Sequence, residues 1–137
     1  MGFEGILKLT EAFGTSITAC ALKFVESELR PCMLLKWGAD GRLQWKRFSQ
    51  SLYEARLSLA IQKGSQFNHF IPGSPTDQIH SGSKSQRDKF LRAGSTIRSW
   101  FPNARDFQND ILVEEAFSLG EFGSLTILYT DKNKLSF

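Results

Sequence analysis

Ile6, Leu9 and Phe13 recur at helical spacing near the start of the chain and predict a first helix. Gly14 interrupts that stripe. Ser16 is placed to cap a second helix, because a serine hydroxyl accepts a free backbone N–H at a helix start. Ile17, Cys20, Ala21, Phe24 and Val25 form the apolar stripe of that helix. Pro31 ends it, since the residue before a proline disfavours the helical conformation. The outline is a helix–turn–helix with Gly14 and Thr15 in the turn.

The period then changes. Cys32, Met33, Leu34, Leu35 and Trp37 make a short apolar run suited to a buried strand, and Asp40–Gly41 is a strong turn signal. Leu43 and Trp45 alternate with Arg42, Gln44 and Lys46, as on a half-exposed strand, so Cys32 to Phe48 reads as a β-hairpin. Ser49 to Ile71 fits two patterns. Leu52, Ala55, Arg56, Leu59 and Ala60 suit a helix, whereas Tyr53, Leu57, Leu59 and Ile61 suit a strand. Gly64 closes this piece, and Ser65 can cap a further turn through Phe70. Pro72 to Gln86, rich in Pro, Gly and Ser, reads as a loop. Ala93 to Trp100, Ile111 to Leu119 and Leu125 to Tyr129 read as strands, with turns at Phe101–Pro102–Asn103 and Gly120 to Gly123. Asp131 to Phe137 reads as a frayed tail.

These elements predict an α+β domain: a short N-terminal helical pair, then a mainly antiparallel sheet of about five strands with at least one face covered by helix. Composition agrees. The 137 residues are 41% hydrophobic and 23% charged, with twelve Phe and three Trp, enough for a core without metal or disulfide staples. The net charge of +3 is mild, and Lys46–Arg47 and Lys84 to Arg92 are too sparse for a nucleic-acid tail. Met1 to Leu9 lacks the features of a secretion leader, and no run of about 18 apolar residues occurs. A cytoplasmic setting with Cys20 and Cys32 as reduced, buried thiols is therefore expected.

The residues offer little for catalysis. H-E-x-x-H is absent, and His69 and His80 are too far apart for helical metal ligands, so no metal site and no cofactor are expected. His69 is expected to be partly buried and His80 exposed. Gly82–Ser83 and Gly94–Ser95 lack the nucleophile-elbow pattern. Glu114 and Glu115, adjacent on a strand, should point to opposite faces rather than form an acid–base pair.

The stretch from Phe13 to Ser49, FGTSITACALKFVESELRPCMLLKWGADGRLQWKRFS, resembles the region that follows the peptidase module in ImmA/IrrE-family zinc metallopeptidases. Ser99–Trp100–Phe101, Leu112 to Phe117 and Leu125 to Tyr129 are similar to later pieces of that region. The resemblance implies a helix–turn–helix-like segment over residues 1–30 and a GAF-like (or PAS-like) domain over 31–137. It implies an upstream peptidase domain as partner and a role in stress or transcriptional regulation. The family's zinc ligands and catalytic glutamate carry over to no residue here.

The expected function is thus a non-catalytic sensory or regulatory domain. A small-molecule pocket would be lined by Trp37, Trp45, Phe70, Trp100 and Phe117. One alternative is a protein-interaction or homodimerisation module. Another is weak DNA binding through Thr15, Ser16, Thr18 and Lys23, a set with one cation and poor for base readout.

Overall fold

The computed structural model describes residues 3–13, 16–27, 32–50, 71, 73–81, 90–96 and 111–130. Two helices open the chain, α1 (Phe3–Phe13) and α2 (Ile17–Ser27). Ser16 caps α2 as its position suggests: its Oγ accepts the Ala19 N–H at 3.1 Å. β1 (Cys32–Trp37) and β2 (Leu43–Phe48) form the expected antiparallel hairpin. In its turn Gly41 takes a φ of 83°, and Asp40 Oδ1 accepts the Arg42 N–H at 3.1 Å.

The loop expected over Pro72 to Gln86 is corrected at its centre, where Pro75–Ser81 is a helix, α3. Its start obeys capping chemistry. Ser74 Oγ accepts the Asp77 N–H at 3.2 Å, and Asp77 Oδ2 reaches back to the Gly73 N–H at 2.8 Å. Pro75 sits in the first turn, where no N–H is needed. His80, expected to be exposed, is half-buried on α3.

Three strands complete the sheet: β3 (Phe90–Thr96), β4 (Ile111–Ser118) and β5 (Ser124–Thr130). β3 begins three residues earlier than the sequence pattern suggests, because Phe90 and Leu91 pair with Phe117 and Ala116. A 3-10 turn at Gly120–Phe122 joins β4 to β5. The order is β2-β1-β5-β4-β3, antiparallel throughout. Ser49 to Ile71, left open between helix and strand, and the tail after Thr130 fall almost wholly outside the described residues.

Alternation assigns the two faces of the sheet. Leu34, Val113, Phe117, Leu125, Ile127 and Tyr129 turn toward the helical pair and share one apolar cluster with Phe3, Ile6, Ala21 and Val25. Cys20 and Cys32 are buried in the same cluster. The other face carries Leu35, Trp37, Glu114, Ala116 and Thr126, and α3 packs over its β3–β4–β5 part. The described fold is therefore α+β: helices lie on both faces of one antiparallel sheet.

Glu114 and Glu115 do point to opposite faces, and both are fully buried. Glu115 Oε1 accepts the Phe3 N–H of α1 at 3.0 Å, and its Oε2 accepts the Tyr129 hydroxyl. Glu114 Oε2 accepts the Thr76 N–H of α3 at 2.9 Å. Each carboxyl group thus satisfies a first-turn amide that has no partner within its own helix.

Replacing Glu115 by Ala strands two buried donors, so the folded state should lose about 2–4 kcal/mol in urea denaturation; a loss below about 1 kcal/mol would show that the contact does not hold α1. Gly123 should tolerate no side chain. Its φ is 101°, and a Cβ there would run into the Trp37 carbonyl. Gly123→Ala should cost about 2 kcal/mol or more in the same assay.

Candidate functional site

The five aromatic residues expected to line one pocket do not come together as a set. Phe70 and Trp100 lie outside the described residues. Trp37 is buried on the α3 side of the sheet, and Phe117 is buried on the α1 side against Phe3, with ring centroids 5.4 Å apart. The sheet separates these two side chains. Of the three described members, Trp45, half-buried against the apolar cluster, borders open space.

Trp37 belongs instead to a buried polar chain. Its indole Nε1 donates to Thr126 Oγ1 at 2.9 Å. Thr126 Oγ1 lies 2.7 Å from Thr76 Oγ1, which donates to Glu114 Oε2 at 2.6 Å. Each hydroxyl has one proton. Since the Thr76 proton goes to Glu114, the Thr126 proton must go to Thr76. The chain therefore runs in one direction, from β1 through β5 and α3 to β4. Sequence reading missed Thr76 because it lay in an expected loop. Thr126 lies in the predicted strand Leu125 to Tyr129, whose pattern does not reveal its partners.

The residues considered for DNA contact separate as well. Thr15 lies outside the described residues. The Ser16 hydroxyl is exposed but serves as the helix cap. Lys23 is exposed on α2. Thr18, by contrast, turns toward the sheet edge and meets Trp45 across a groove.

That groove lies between α2 and β2, an edge strand of the described sheet. It holds about 590 Å³ and is lined by Thr18, Leu22, Trp45, Lys46 and Arg47. Trp45 and Arg47 are two apart on one strand, so they share a face. Lys46 pairs with Leu35 in register, so its side chain leaves toward the other face. Arg47 donates through Nη1 to the Lys46 carbonyl at 3.1 Å, which steadies the guanidinium beside the groove.

Two lysines of the β1–β2 hairpin are partly buried. Burial pushes the Lys46 ammonium below the usual lysine range, and burial does the same to Lys36. Lys36 Nζ donates to the Trp37 carbonyl at 3.0 Å, Gln44 Oε1 at 3.0 Å and the Phe122 carbonyl at 2.6 Å. It ties the β1–β2 hairpin to the turn between β4 and β5. Among the described residues, no group of three or more His, Cys, Asp or Glu side chains is arranged to hold a metal ion.

No protein-family model matches the chain, and no curated protein matches it.

The polar chain makes a paired prediction. Thr76→Val removes a hydroxyl from a buried carboxyl group and should cost about 1–3 kcal/mol. Ser124→Ala should change stability by no more than about 0.5 kcal/mol, because the buried Ser124 Oγ makes no hydrogen bond. Equal costs in urea denaturation would contradict the directed chain.

Proposed function

We propose that this chain is a non-catalytic sensory or regulatory domain that reads a small molecule at the α2–β2 groove. The groove itself is the observation that carries this reading. Its volume falls within the roughly 300–1,000 Å³ range of ligand sites, and it combines apolar walls with a few polar groups. The buried carboxyl groups are engaged by the scaffold: Glu114 and Glu115 each hold a helix end. One antiparallel sheet with helices on both faces is also the architecture that a GAF-like domain requires. The resemblance of Phe13 to Ser49 to ImmA/IrrE-type proteins supports a setting downstream of a zinc peptidase domain, with a role in stress or transcriptional regulation.

A protein-interaction or homodimerisation module is the second reading. It draws on β2 and β3 lying at the two edges of the described sheet, and on the exposed Phe122. DNA binding draws least on this geometry, since Cys20, Ala21 and Val25 of α2 face the core and Thr18 faces the groove.

A thermal-shift screen of nucleotides and metabolites tests the sensory reading. A ligand at 100 times its Kd should add about 2.7 kcal/mol, a rise of several degrees in Tm. The shift should disappear in Trp45→Ala. A screen with no stabiliser, together with a concentration-dependent dimer in light scattering, would favour the interaction module instead.

A further inference from the structure

We propose that the α2–β2 groove selects a flat aromatic ring carrying an anionic group, a compact aromatic phosphate or carboxylate. This rests on the sensory reading above and names the chemistry of its ligand.

The lining decides the class. Leu22 on the helix wall and the half-buried Trp45 indole on the strand wall provide an apolar seat. An indole face stacks well on another planar ring. Arg47 lies two residues along the same strand face, about 7 Å from Trp45 between backbones. That span suits a ring joined directly or by a short link to an anion. The guanidinium commits Nη1 to the Lys46 carbonyl and has five N–H donors in all, so donors remain for a carboxylate or phosphate. Thr18 adds a hydroxyl from the helix wall. Among the described residues that line the groove, none is acidic.

The alternatives fit less well. A neutral ring would use the seat but not Arg47. An inorganic anion would use Arg47 but not the seat. A cationic ligand would meet Arg47 in the groove, with the Lys46 ammonium on the same short strand.

Isothermal titration with three probes tests this: 1-naphthyl phosphate, 1-naphthol and inorganic phosphate. The aromatic phosphate should bind about tenfold or more tightly than either other probe. Arg47→Ala, an exposed position that leaves the fold intact, should weaken it by about 10- to 100-fold. Trp45→Ala should weaken it by about 5- to 100-fold, the value of one stacked ring. Lys23→Ala, elsewhere on α2, should leave it unchanged. Equal affinity for 1-naphthol and 1-naphthyl phosphate, or no effect of Arg47→Ala, would overturn the anionic class while leaving a neutral-ligand sensor standing. If neither these probes nor any stabiliser from the screen is sensitive to Trp45→Ala, the groove is no ligand site and the sensory reading falls too.

Discussion

The layers of this fold are fastened through two neighbouring carboxyl groups on one strand. Glu114 and Glu115 sit side by side on β4, and the pleat sends them to opposite faces. Glu115 takes the amide of Phe3, the first residue of α1; Glu114 takes the amide of Thr76, in the first turn of α3. A helix start offers unpaired N–H groups and the positive end of the helix dipole, so a carboxylate is its natural partner. Burying such a group is costly without full hydrogen bonding. The Tyr129 hydroxyl on one face and the Thr76 hydroxyl on the other contribute that bonding.

The remaining features can be placed relative to these anchors. On the α1 side an apolar cluster fills the space between helices and sheet, and the Phe3–Phe117 contact lies within it. On the α3 side the directed chain from Trp37 to Glu114 crosses three strands and one helix start. The groove lies away from both anchors, where α2 meets the edge strand β2. Lys36 supports that edge by joining the hairpin to the β4–β5 turn. The packed scaffold thus carries a partly open groove at its border.

Much of the fold was legible because its signals are local. Cap, turn and alternation fixed α2, the β1–β2 hairpin, and the opposite facing of Glu114 and Glu115. The helix at Pro75–Ser81 was obscured because composition over Pro72 to Gln86 outweighed four informative residues, Ser74, Pro75, Thr76 and Asp77. Local pattern could not reveal what Glu115 would meet, since Phe3 lies 112 positions away in the chain. Aromatic type likewise could not separate the packed Trp37 and Phe117 from the groove residue Trp45. That distinction needs strand register, which pairs Trp37 with Ser124 and Phe117 with Leu125 on opposite faces. Arg47 stands out in the sequence only as half of a sparse basic pair, although its two-residue spacing from Trp45 already places them on one strand face.

The anchoring claim is tested most directly by native-state hydrogen exchange at two amides, Phe3 and Thr76. First-turn amides of a helix have no intrahelical acceptor and exchange quickly when only water satisfies them. If Glu115 and Glu114 hold them, both should be protected to nearly the level of the β4 and β5 amides. Exchange as fast as that of exposed helix ends would contradict the account, because the carboxyl groups would then not hold the two helix starts.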